Sequence, residues 1–483
     1  MRVVNLSIQL LRTVLISLVL AFGASMVFFL LNFLSLSMTD PENIRYHLKL
    51  SFENKTHPMA RGSYNDFNDC LITAMTLSRN ARVDELTVSP MRIYGLQRPQ
   101  DICRGLKQLA YDGSLNKDQY ITVFYHQYLH GSRTVLSFLL DSMRVKDIRT
   151  TLFAICYLIL LLNLFFLFIQ IGQELFNPQD DLKNHAGTDL RKEFFREKLS
   201  LVIFSLCFLF FYDLSGKADS FTFSFTDILI FSILSMATFF NSIHMRFLVR
   251  VIFFAGFGAL LAYFELLHGA VPLAMAGIIG IFFVQRVGDQ SEMVRYLVCI
   301  ESFFAFLAGF LGCFVFKIIA VSIYFDVNML TNFLDLLMFR MTGVARTTSV
   351  PEEIRSYFVG YEASFLDMLI SLKGQIPKLA FGSRKLGYMV VGSSGIILAF
   401  FTILLMIKPS MFRNPHQTLG LLFSNCFIVL WYVAFLQHTQ EHPYFMTRLL
   451  VWPIASSCVL LMNGTECLLS YSKGWNSSFR RNN

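Results

Sequence analysis

Ten apolar runs constrain this chain of 483 residues more than any other feature. They fall at roughly 10–36, 151–172, 199–214, 222–241, 247–264, 269–285, 296–323, 388–407, 417–436 and 445–462. A helix needs about 20 apolar residues to cross a hydrocarbon core about 30 Å thick. The runs therefore predict an all-α polytopic membrane protein of about ten transmembrane helices, with run 199–214 the shortest. Composition agrees: 54% of residues are hydrophobic and only 15% are charged, where a soluble domain carries about 25%.

The first run, within MRVVNLSIQLLRTVLISLVLAFGASMVFFLLNFL, is too long for the apolar region of a cleaved signal peptide and reads as a retained span. Placing the N-terminus in the cytoplasm puts the loops 175–198, 242–250, 286–295 and 408–416 and the tail on the inner side, where Lys and Arg are concentrated. The short connections on the other side contain only Lys217. This is the positive-inside pattern. The expected organisation is a first span (1–36), an outer loop domain (37–148), a bundle of about six spans (149–323), a second outer loop (324–387), three last spans (388–462) and a cytoplasmic tail (463–483). Two long loops thus face outward, and FDVNMLTNFLDLLMFRM and FLDMLISLKGQIPKLAF within the second carry the amphipathic spacing of helices lying on a bilayer.

The net charge of +8 is explained by that topology, so no nucleic-acid partner is expected. Neither a Walker loop, a GxGxxG nor a zinc-type cysteine pair occurs. Energy must then come from an ion gradient or an activated substrate.

With this orientation the unusual polar residues collect outside. Asp66 and Asp69, in SYNDFNDCLI, share one helix face at their three-residue spacing. They fit either a general base or a helix cap followed by a first-turn acid. His126 and His130 stand four apart, a metal-ligating spacing, but aromatic neighbours also suit packing at headgroup level. Arg133 suits a phosphate or a snorkelling role. Arg448 opens an apolar run, where an arginine has a partner or an anionic ligand. Lys373 lies in the second loop, and QHTQEHPYFMTR offers His438, Glu441 and His442. Cys70 and Cys103 are the pair of cysteines in the first outer loop and are candidates for a disulfide in an oxidising compartment.

A first span, a long acidic outer loop with YNDFNDCLI and FYHQYLHGSR, and the late HPYFMTR together resemble the GT-C superfamily of integral-membrane glycosyltransferases and uncharacterised bacterial cell-envelope membrane proteins. The resemblance implies transfer of a sugar from a polyprenyl-phosphate donor to a glycan or lipid acceptor at the outer face of the bacterial cytoplasmic membrane. It implies Asp66 or Asp69 as the base, with Asp40 of SMTDPEN the rival because the family's acid follows the first span closely. Arg448, with Arg133 or Lys373, would hold the donor phosphate; His126, His130, His438 and His442 would orient substrates or hold a divalent metal ion. The residues leave other classes open: a transporter or flippase of a lipid-linked glycan, an O-antigen polymerase, or an O-acyltransferase using His438, Glu441 and His442.

Overall fold

Seven helices among the described residues of the computed structural model are long and apolar enough to cross a membrane: Ser7–Met38, Val145–Phe176, Phe247–Phe264, Glu292–Phe325, Arg384–Ile407, Pro415–Ala434 and Pro443–Gly464. Helix His185–Phe211 and the shorter apolar helices Ser224–Phe239 and Ala270–Val284 lie among them. The structure describes residues 2–54, 64–96, 102–176, 185–214, 220–239, 245–265, 269–285, 292–346, 350–360, 362–380, 382–412 and 414–464. The chain is an α-helical membrane-type protein whose described residues also include a short antiparallel pair of strands, Met91–Gly95 with Tyr120–Phe124. The second strand is the β-branched and aromatic run YITVF, which suits a pleated surface better than a helix.

In lipid there is no hydrophobic drive between helices, so close backbone approach and interhelical hydrogen bonds carry the packing. Backbones approach closely where Phe247–Phe264 meets Glu292–Phe325. A Cβ on Gly258 would fall 2.2 Å from the Phe306 carbonyl oxygen, and one on Gly309 would fall 2.2 Å from that of Ala255. The first helix joins this pair through Gly312, where a Cβ would meet the Ala21 methyl at 2.7 Å. Elsewhere Asn163 donates to Ser205 Oγ at 2.7 Å and accepts from Thr238, tying three helices together. At one end of the bundle Glu301 pairs with Arg250 and accepts from Gln9. The acid therefore joins a helix to which sequence order gives no clue.

At the other end, the segments after the first helix and after Glu292–Phe325 combine into one cap. Their own signals start its helices. Asp40 accepts from the Glu42 N–H at 2.9 Å with Pro41 at the first position, and Asn328 accepts from Thr331 N–H at 3.1 Å. The two segments share a small core in which Tyr94 packs with Leu336, Phe339, Val350, Ile354 and Phe358. Asn32, near the top of the first helix, ties cap to bundle. Its amide reaches the Thr87 and Leu129 carbonyls at 3.3 Å, and its Oδ1 accepts from Thr134 at 2.5 Å and Tyr263 at 3.0 Å. Cys70 and Cys103 are bonded, joining helix Tyr64–Leu77 to helix Ile102–Asp112.

Candidate functional site in the cap

A cavity of about 250 Å³ opens where the cap meets the bundle. That is just below the ~300 Å³ at which small-molecule sites begin. Six stretches of the chain form its walls, among them Tyr125 with Tyr128 and Phe358 with Val359. In the first strand, Ile93 turns into the main core while Arg92 and Tyr94 project to the opposite face, as strand alternation requires. Arg92 thereby lies 4.4 Å from the Tyr94 ring centre and 5.1 Å from that of Tyr125. Helix Met329–Thr342 buries Leu336 and Phe339 and brings Arg340 to the same cavity. The short helix Leu436–Glu441 and its C-cap add His438, Glu441 and His442, their imidazole rings 4.8 Å apart. Phe67, Asn68 and Leu71 of helix Tyr64–Leu77 complete the wall.

The electrostatics favour an anion. Burial, helped by the positive charges of Arg340 and Arg92, lowers His442 to about 3, so its ring is neutral in ordinary conditions. Burial pushes the Tyr125 and Tyr128 hydroxyls up, keeping both protonated. Glu441 is exposed and is the one carboxylate among the described lining residues. Among the described lining residues, two guanidiniums stand against a single carboxylate. The Nδ1 of His442 and the Nε of Arg340 have no hydrogen-bond partner among the described residues. Planar guanidiniums match phosphate oxygens in pairs, and aromatic walls suit the face of a sugar ring.

The sequence candidates distribute themselves differently. Asp69 is wholly buried: Arg149 holds one oxygen at 2.5 Å, and Ser220 and Thr222 donate to the other at 2.8 and 3.2 Å. It is an anchor, and an acid so enclosed cannot reach an acceptor hydroxyl. Asp66 lies in the same helix, but its side chain is outside the described residues. Asp40 is an exposed helix cap. Arg448, expected to hold a phosphate, is fully buried against Asp227 at 2.6 Å and Tyr212 at 3.2 Å, so its charge is already met. Arg133 is buried as well, donating to Ser35 at 3.3 Å, and burial lowers it to about 10. Lys373 does not line the cavity; its carbonyl accepts from Tyr388 at 3.2 Å.

His126 and His130 do not share a helix face either. His126 follows the second strand and bonds Ser89 at 2.9 Å, whereas His130 has a left-handed φ of 64° before helix Gly131–Ser142 and contacts the Tyr125 carbonyl at 2.7 Å. Burial lowers His126 to about 4. Among the described residues no three His, Cys, Asp or Glu side chains group as metal ligands. Of the substrate-binding candidates, His438 and His442 alone line the cavity.

Arg92, Arg149 and Asp227 escape sequence reasoning, and Arg340 enters it only as a charge interrupting the amphipathic stretch 325–341. Asp227 is visible there as a lone acid within the apolar run 222–241. Set against protein-family models, curated proteins and solved structures, the chain matches none.

Proposed function

We propose that this protein is a membrane glycosyltransferase that moves a sugar from a polyprenyl-phosphate donor to a cell-envelope glycan or lipid acceptor. One observation carries the reading: Arg92 and Arg340, from separate cap segments, converge with Glu441, His438 and His442 on one aromatic-walled cavity. In this reading the chain crosses the bacterial cytoplasmic membrane ten times, with both termini inside and the cap outside. Support comes from the helix ends. Gln9, Arg250 and Glu301 meet at one end, while Arg149, Asp227 and Arg448 lie at the other, as alternating traversals require.

The donor phosphate sits on Arg92 and Arg340. Glu441 accepts the proton of the acceptor hydroxyl as the new bond to the sugar's anomeric carbon forms. The bond from that carbon to the phosphate oxygen breaks, and the electron pair leaves with polyprenyl phosphate, whose growing charge the guanidiniums stabilise. His438 and the neutral His442 orient the sugar hydroxyls. The base is thus reassigned from the aspartates near the first span to Glu441.

A second reading, an O-acyltransferase, draws on the meeting of His438, Glu441 and His442 in this cavity, with His442 as base on the acceptor. Reconstituted protein given a polyprenyl-phosphate sugar and an envelope glycan tests both. Release of free polyprenyl phosphate that depends on Arg340 and Glu441 is the expected result. No release, with acyl transfer from an acyl donor instead, favours the second reading.

A further inference from the structure

A second recess, of about 260 Å³, lies at the end of the bundle away from the cap, between the first helix and the start of Phe247–Phe264. Ile8, Gln9, Arg12 and Phe247 line it. Arg12 is exposed, its guanidinium 5.2 Å from the Phe247 ring centre, and no carboxylate meets it among the described residues. The nearby acid is already committed, since Glu301 is buried against Arg250 and accepts from Gln9. Around Arg12 the surface is apolar: Ile8, Leu11 and Leu15 are all more than half exposed, as residues facing lipid are. A guanidinium on such a surface lies at headgroup depth, where it attracts an anionic partner.

We infer that this recess binds the headgroup phosphate of an anionic glycerophospholipid, with Arg12 as the phosphate ligand and Phe247 beside the acyl chains. The selectivity for net negative charge follows from the surroundings. Arg246 is exposed at the start of helix Phe247–Phe264, so among the described residues here three arginines (Arg12, Arg246, Arg250) stand with one acid, Glu301. The ammonium of a zwitterionic headgroup would meet that excess of positive charge, whereas an anionic headgroup is held by it. The site is independent of the sugar-transfer reading, and no residue of it lines the cap cavity.

Native mass spectrometry of the full chain in detergent, with phosphatidylglycerol or phosphatidylcholine of identical acyl chains, tests the inference. Phosphatidylglycerol should be retained preferentially, and Arg12→Gln should lower its retention about tenfold, the loss of one charge-assisted contact. Arg384→Gln, which removes an exposed cation at the cap end, should change nothing. Circular dichroism of each variant checks that the helices persist. Equal retention of the two lipids, or undiminished phosphatidylglycerol on Arg12→Gln, overturns the site.

Discussion

Asp69 and Arg149 form an ion pair 2.5 Å apart, both side chains almost wholly removed from solvent. Removing one partner of a buried pair leaves the other charge uncompensated, which costs about 3–5 kcal/mol. Asp69→Asn should therefore lower the thermal midpoint in detergent, whereas Glu441→Gln should leave it unchanged and abolish sugar transfer. If Asp69→Asn stays fully stable yet inactive while Glu441→Gln retains transfer, the base belongs to the first cap segment after all.

Arg340 supplies the second guanidinium of the cavity. Taking away one preorganised donor to a developing charge costs on the order of 100-fold in turnover. Arg340→Ala should show that loss in kcat for release of polyprenyl phosphate. Arg340→Lys should recover only part of it, because an ammonium cannot make the paired contacts of a planar guanidinium. An unchanged kcat in Arg340→Ala would remove the residue from the site.

His126 is held neutral by burial, at about 4 against an ordinary 6.5. The unfolded chain then binds the extra proton first, so stability rises with pH across that window and is fully present above about 6.5. Thermal midpoints should fall as the buffer is taken from pH 7 towards pH 4. Replacing His126 by Gln, which can still bond Ser89, should flatten part of that slope. A profile identical to the parent's would mean that other groups set the acid limit.

The Cys70–Cys103 bond ties down the helix that gives Phe67, Asn68 and Leu71 to the cavity wall. Losing a native disulfide costs about 2–5 kcal/mol in small secreted domains. The double replacement Cys70→Ser with Cys103→Ser should weaken donor binding as well as stability. Titration of the donor with oxidised and dithiothreitol-treated protein reads this directly; equal affinities would uncouple the bond from the cavity.

The bundle was largely legible because apolar length is a local property. The amphipathic stretches 325–341 and 365–381 likewise correspond to helices Met329–Thr342 and Phe365–Leu379. The strand pair was missed because five-residue runs such as YITVF carry little periodicity beside long helices. The cavity was half legible. His438 and His442 stood out as histidines in a short polar loop, but Arg92 and Arg340 look like ordinary basic residues until the fold brings their segments together. Arg448 stands out as a charge opening an apolar run and Asp69 by its spacing from Asp66, but their partners Asp227 and Arg149 are 221 and 80 residues away, so neither pairing is legible in the sequence. A buried charge with a distant partner and a charge on a cavity wall leave the same mark in a sequence.

The distance between Asp227 and Arg448 also matters for how the protein is made. Ribosomes extend a chain at about 5–20 residues per second, so the arginine emerges tens of seconds after the acid, 221 residues later in the chain. Until then the short helix Ser224–Phe239 carries a carboxylate with no Arg448 to neutralise it. Chains that stop before residue 448 should be quality-control substrates: inserted, incomplete at that helix, and recognisable to membrane proteases by one acid still waiting for its cation.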